Sequence, residues 1–388
     1  MREDDQVGTP LSAVGLFAGI GGVEEGLRRS GAAEAELLVD NWAPAHEVLR
    51  ARFPGAKLEG DVAVLKSVPK VDLLTAGFPC TDLSQAGRTA GIGGKASGLV
   101  SNVFRLLKTA DPTWLVFENV RNMLVLDDGQ AMRYLVAELE RRKYRWGYRL
   151  VDSRSTGVAQ RRQRVILLAS RTENPADVLL VDDAGERSPE AYSDEAFGFY
   201  WTEGLRGLGW ARDAVPTLKG GSTVGIPSPP GIWVPNAPLG RRLIVPGIEE
   251  AEALQGFDRG WTQPADLGRS NGPRWKLVGN AVTVGISEWL GSRLVNPGEH
   301  DAAEGELVTD GRWPLAAWGG KGKVYRSRVS IWPVREPYRG LLGTVDHRNA
   351  RPLSNRAAAG FYRRMERATL RFDERFRQDV ADHVRITA

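Results

Sequence analysis

The chain has a single cysteine, Cys80, in 388 residues. One cysteine excludes internal disulfides, CxxC redox pairs and thiolate metal cages. Two readings remain for it: an inert buried thiol or a nucleophile. Long apolar runs are also missing, since none approaches the roughly 18 consecutive residues of a membrane-spanning helix. The first ten residues, MREDDQVGTP, lack the basic and apolar regions of a secretory leader. A soluble, cytoplasmic protein without membrane attachment and without a metal centre is expected. Net charge is only +4, but it is unevenly spread: from Gly311 onward 17 Lys and Arg stand against 7 Asp and Glu. That part carries about +10 and the remainder about −6, a distribution suited to a polyanionic partner.

What is present begins with length for two or three domains and 42% hydrophobic residues for their cores. Leu11 to Phe17 reads as a strand, followed by Ala18-Gly19-Ile20-Gly21-Gly22 and a helical stretch closed by Gly31. Strand, glycine turn and helix together bring backbone N–H groups to a nucleotide-like ligand, although the full dinucleotide fingerprint is absent. A second strand ends at Asp40, about 20 residues beyond the turn, where a carboxylate can hold ribose hydroxyls. Asp61 follows the third element in the same way. One such aspartate is usually a cap or a solvated loop residue. Two at successive strand ends beside a glycine turn point to an adenosine-containing cofactor.

Val71 to Leu74 reads as a buried strand that passes through Gly77 and Pro79 into a turn bearing Cys80. A cysteine there, before Thr81-Asp82-Leu83-Ser84-Gln85, faces the crevice in which open α/β sheets bind ligands. Gly87 to Gly98 is long, polar and glycine-rich, as expected of a lid. A helix from Leu99 and a strand Trp114 to Phe117 follow, ending at Glu118-Asn119-Val120. After a helix over Gln130 to Lys143, Gln160-Arg161-Arg162-Gln163-Arg164 precedes the apolar run Val165 to Ala169. Arginines next to a buried strand are costly unless they meet an anionic partner or the carbonyl of a nucleic-acid base.

Taken in order, FAGIGG (17–22), GFPC (77–80), ENV (118–120), Gln160-x-Arg162-x-Arg164, Leu254-Gln255-Gly256-Phe257 and Gly279-Asn280-Ala281-Val282 resemble the motif series of the C5-cytosine DNA methyltransferases. The resemblance runs from Leu11 to Leu294. It implies an α/β fold: a doubly wound, Rossmann-like sheet for S-adenosylmethionine, a smaller irregular target-recognition domain, and duplex DNA as partner. The implied boundaries are 11–170 for the catalytic domain, completed by 272–295, then 171–271 for recognition, with 296–388 as a basic extension. Carried over by position, Cys80, Glu118, Asn119, Arg162 and Arg164 match the catalytic set. Phe17, Gly19, Gly21, Asp40, Asn41, Asp61, Val62, Gly77, Pro79, Leu99, Asn280 and Val282 match cofactor positions. Thr81, Ser84, Gln85, Arg88, Thr217, Lys219, Gly220 and Gly221 match DNA-facing ones. Three positions depart from the pattern: Thr81 replaces a common glutamine, Asn41 an often aromatic residue, and Lys95 an arginine.

The chemistry asks for the same residue types. Cytosine C5 is a poor nucleophile until a thiolate adds at C6. The target base must leave the duplex to be reached, at a cost of a few kcal/mol. The expected activity is therefore methyl transfer to C5 of a flipped cytosine by a prokaryotic or phage modification enzyme. It would be monomeric and nucleoid-associated through DNA, with a cognate restriction endonuclease as a candidate partner. An RNA-directed enzyme on the same scaffold and a DNA-binding protein without catalysis remain the alternatives. Beyond the resemblance, RVSIWPV and GLLGTV read as strands, and Asn355 to about Val380 as one helix. Its apolar stripe (Phe361, Met365, Ala368, Phe372, Phe376, Val380) should pack on the body, leaving an arginine-rich face for DNA phosphates.

Overall fold

The computed structural model describes residues 9–78, 98–221, 227–266 and 272–388. Cys80, Pro79, Thr81, Ser84, Gln85, Arg88, Lys95 and nearly all of the expected lid lie outside the described residues. The chain forms two compact units. The first comprises Met1–Asp152, Gln163–Glu186 and Val282–Val334; the second comprises Ser153–Arg162, Arg187–Ala281 and Arg335–Ala388.

The first unit is built on one sheet. Its strands in chain order are β1 (Leu11–Leu16), β2 (Ala33–Val39), β3 (Lys57–Glu59), β4 (Leu73–Ala76), β5 (Trp114–Val120), β6 (Arg145–Asp152), β7 (Gln163–Ser170), β8 (Glu306–Leu307), β9 (Ala316–Gly320) and β10 (Lys323–Arg326). Across the sheet they run β8-β10-β9-β6-β7-β5-β4-β1-β2-β3. Strands β1 to β5 are mutually parallel, and β7 returns antiparallel to β5. Because the chain moves outward through β2 and β3 and then crosses back to β4, the order reverses between β1 and β4. In open α/β sheets that reversal opens a crevice at the strands' C-terminal ends.

Alternation in the strands explains the two covered faces. Val14, Leu16, Leu74, Ala76, Leu115, Phe117, Val165 and Leu167 point into one core, with helices α1 (Gly22–Arg29) and α2 (Ala43–Arg52) preceding α3 (Leu99–Ala110) and α4 (Gln130–Arg141), the two that line it. Ala13, Leu73, Trp114, Val116, Ile166 and Leu168 point into the other, beneath α1 and α5 (Val284–Val295). Strands buried on both faces read as continuous apolar runs, which is why they were legible in sequence. Gly26 lets α1 and α5 touch: a Cβ there would meet Val284 O and Glu288 N.

The second unit has little regular structure. Its main sheet has five short strands, Phe197–Phe199, Ala211–Arg212, Gly231–Trp233, Leu243–Val245 and Arg351–Pro352, and a parallel pair joins Gln160–Arg161 to Val215–Pro216. Large aromatic side chains take the place of long strands. Phe199, Trp233, Phe361 and Phe376 are buried together, with Phe197 and Trp210 stacked at 5.0 Å beside them.

The stretch beyond Asn296 is divided between the units and differs in detail from its expected elements. Besides β8 and the short strand Arg351–Pro352 it holds β9 and β10, joined at Lys321-Gly322, where φ values of 54° and 74° make the left-handed turn that suits a hairpin. RVSIWPV forms no strand; its backbone instead serves the end of β6, Ser330 O accepting from Arg149 Nε and Ile331 O from Asp152 N. GLLGTV contains a short helix, Leu341–Thr344. The expected single C-terminal helix is two, Asn355–Glu366 and Glu374–Ile386, because Asp373 caps the second by accepting from Phe376 N at 2.9 Å. The apolar stripe does pack inward: Phe361, Met365, Phe376 and Val380 are buried.

Candidate active site

The glycine turn after β1 is held from the tip of β2. Gly19 and Gly21 have φ of 58° and 78°, a conformation that excludes most side chains, and Phe17 itself adopts φ 57°. Gly19 N donates to Asp40 Oδ2 at 2.9 Å, and Trp42 N donates to Asp40 Oδ1 at 2.9 Å. Burial raises the Asp40 pKa above the usual carboxylate range, opposed by those amides. Asn41 is exposed beside it. Asp61 Oδ1 accepts from Ala63 N at 2.8 Å, ordering the turn that buries Val62. Leu99 opens α3 and is half-buried.

Glu118 stands on β5 and Arg164 on β7, two register steps apart on the same face of the sheet. Arg164 Nε lies 2.8 Å from Glu118 Oε1, and its Nη1 donates to Gln163 O at 2.8 Å. Burial lowers the Arg164 pKa, and the Glu118 carboxylate works against that. A Cβ on Gly77 would lie 3.7 Å from Glu118 Oε2 and 4.0 Å from Phe17 O. The carboxylate therefore faces the backbone that leads to Cys80. Asn119 Nδ2 donates to Phe78 O at 3.0 Å, tying β5 to the last described residue before that turn. Phe78 stacks edge-on with Phe17 and Phe117.

In the second unit the remaining motif residues form a buried polar network. Gln160 Nε2 donates to Leu254 O and to Gln255 Oε1, each at 2.9 Å, and Gln160 Oε1 accepts from Leu218 N at 2.9 Å. Gln255 Nε2 donates to Val278 O and Ala281 O. Arg162 donates to Leu218 O, Gly279 O and Ala281 O, at 3.2, 3.3 and 2.7 Å. Its guanidinium thus holds backbone carbonyls, a role the sequence did not suggest. Thr217 Oγ1 donates to Arg161 O at 2.9 Å. Gly279 has no side chain, so the backbone of Lys219 and Gly220 passes directly over it, and Asn280 Oδ1 lies 2.7 Å from where a Gly220 Cβ would be. Asn280 and Gly220, expected in cofactor and DNA sites respectively, are therefore neighbours. Val282 is buried among the residues beneath α5, and Gly221 is half-buried.

Residues 11–200 match the family described as C-5 cytosine-specific DNA methylase. The type II methyltransferase M2.BsuMI of Bacillus subtilis is 45% identical over 92% of this chain and 94% of its own length. This chain belongs to the C-5 cytosine-specific DNA methylase family. The type II methyltransferase M.BanI of Aneurinibacillus aneurinilyticus is 31% identical over 49% of this methylase and 45% of its own length. The S. pombe Dnmt2 methyltransferase crystal structure shares the fold, with a TM-score of 0.52 over 74% of this methylase and 98% of that chain at 17% identity.

Two groups in the methylase escaped the sequence reading. Glu24, in the first turn of α1, is buried with Oε1 accepting from Thr75 Oγ1 at 2.8 Å, while Oε2 meets no side-chain donor among the described residues. Gly15 makes room for it, since a Cβ there would strike Glu24 Oε1. Burial raises its pKa. An acidic pair at a helix start normally signals the helix dipole, so Glu24 carried no separate signal. Arg105 on α3 donates to Val62 O and Leu65 O, at 2.9 and 2.5 Å, and so braces the turn after Asp61.

Proposed function

We propose that the chain transfers a methyl group from S-adenosylmethionine to C5 of a cytosine in duplex DNA, as the modification partner of a type II restriction endonuclease. The single observation that carries the reading is the Glu118–Arg164 pair facing Gly77, immediately upstream of the only cysteine. The fit of the cofactor rests on the glycine turn and its strand-end carboxylates: left-handed backbone at 17–21, with Asp40 and Asp61 at successive strand ends. Backbone donors beside two carboxylates suit a molecule with a ribose diol and a cationic amino-acid end. Bound there, S-adenosylmethionine would supply a methyl group on a positive sulfur that departs as a neutral thioether.

In this reading the Cys80 thiolate adds to cytosine C6 and pushes electron density toward N3 and C5. Glu118, carrying or sharing a proton, hydrogen-bonds N3 and the exocyclic amine as charge builds on the ring. Arg164 fixes that carboxyl and supplies positive charge beside it. Asn119 holds the backbone at Phe78, two residues before Cys80 in the chain. Arg162 acts through the backbone it grips, bracing Leu218 and the 279–281 turn. After methylation a base removes the C5 proton and the C6–S bond breaks, returning the thiolate. The duplex must release the base for any of this, and Thr217, Lys219, Gly220 and Gly221 with the 81–98 stretch would carry the DNA contacts.

Labelled S-adenosylmethionine with duplex DNA or tRNA, with bisulfite sequencing of the product, tests the reading. Label in duplex DNA at a short defined sequence is expected, abolished in Cys80→Ser, together with a covalent complex on 5-fluorocytosine DNA. Label confined to RNA would overturn it.

A further inference from the structure

Helix Asn355–Glu366, with its C-cap Arg367, carries a charge pattern unlike that of several exposed arginines on other helices. Arg28, Arg50, Arg141 and Arg385 each pair with an acidic residue three positions earlier on their own helix, Glu25, Glu47, Glu138 and Asp382. Arg356, Arg363 and Arg367 are exposed, and their side chains meet no acid or acceptor among the described residues. Their spacings of seven and four residues place them on one stripe, opposite the buried Ala358, Phe361 and Met365. Like charges one helical turn apart destabilise a helix. A row of uncompensated guanidinium groups fits a polyanion that lies along it.

The stripe is also fixed in place. Phe361 and Met365 lock the helix into the aromatic core, and the neighbouring Arg364 donates to Glu203 O at 2.9 Å and to Trp201 O. The same turn ends in Glu203, which pairs with Lys219, whose ammonium also sits 4.0 Å above the Tyr200 ring. The helix is thus tied, through Arg364 and Glu203, to the turn that pairs with Lys219, within one unit. At 1.5 Å of rise per residue the row is roughly 16 Å long, against one phosphate for about every 3.4 Å of duplex axis on each strand.

We propose that Arg356, Arg363 and Arg367 form a phosphate-tracking surface for the duplex flanking the target. The surface adds affinity without sequence information and leaves the chemical step untouched. This rests on the reading of the chain as a duplex-DNA methyltransferase.

The test is the salt dependence of duplex binding by the full chain, with kcat and KM for DNA, in wild type, Arg356→Gln/Arg363→Gln/Arg367→Gln and the corresponding triple Lys variant. The slope of log K against log [salt] should fall by about three in the Gln variant. KM for DNA should rise at least about tenfold on target and non-target duplexes alike, with kcat at saturating DNA and S-adenosylmethionine affinity unchanged. The Lys variant should keep the wild-type slope, since a phosphate contact of this kind reads charge. A folded Gln variant with the wild-type slope and KM, or a loss restricted to RNA duplexes, overturns the inference while leaving the methyltransferase reading standing. Wild type that transfers no methyl to duplex DNA overturns that reading itself.

Discussion

Two buried glutamate–arginine pairs, one in each unit, are equipped differently. Glu252 is fully buried, and both its oxygens are filled: Oε1 accepts from Arg274 Nη2 at 3.0 Å, Thr262 N at 2.9 Å and Thr262 Oγ1, and Oε2 from Gly260 N at 2.6 Å. Glu118 has only Arg164 among the described residues, and its second oxygen faces Gly77, where no side chain intervenes. A saturated carboxylate can only hold structure, because nothing further can dock on it without breaking a bond already made. An under-filled one has capacity for a substrate. Arg162 donates to backbone carbonyls and Arg164 pairs with Glu118, although they are two residues apart and of one type.

The sharpest way to break the contrast is to neutralise each carboxylate in turn. Glu118→Gln should lower kcat per folded molecule by about 10²- to 10⁴-fold, beyond any loss of stability from removing the charge beside Arg164. A variant with near-normal kcat would remove Glu118 from the chemistry. Glu252→Ala should do the reverse, costing about 3–5 kcal/mol of stability by stranding a buried Arg274, measured by denaturant unfolding, with per-molecule activity of the folded fraction retained. Asp40→Asn should weaken S-adenosylmethionine about tenfold or more, as expected when a charged acceptor is lost, followed by calorimetric titration. Because burial raises the Asp40 pKa, wild-type cofactor affinity should begin to fall on acidification at a higher pH than an ordinary aspartate would dictate, and the Asn variant should lack that limb.

The smallest effect belongs to Glu24, which is buried like Glu252 but only half-satisfied. Its folded-state pKa is raised, so its contribution to stability is fully present below the unfolded-state pKa and is lost as pH rises through the folded one. Glu24→Gln should therefore be neutral in acid and increasingly stabilising toward alkaline pH. Melting curves across pH check this, and a variant less stable than wild type at alkaline pH would show that the carboxylate is needed charged.

Much of the first unit was legible because its signals are local. Apolar runs of strand length, left-handed glycines and carboxylates at strand ends lie within a few residues of one another, and register then brings Gly77, Glu118 and Arg164 to one face. The break at Asp373 was missed because the apolar stripe continues through it, Phe372 staying in the core on a non-helical turn. The second unit was least legible: its network joins Arg162 to Ala281, 119 positions away, and no periodicity announces such a contact.

By itself the sequence determined the family and the order of its motifs, since each motif is a short run of residues adjacent along the chain. Only the tertiary structure decided which arginine meets Glu118 and which grips carbonyls, that Gly15 exists to admit Glu24, and that the stretch past Asn296 serves both units. Those outcomes depend on which backbone groups lie within about 3 Å of a side-chain donor, a quantity set by packing across the fold rather than by neighbours along the chain.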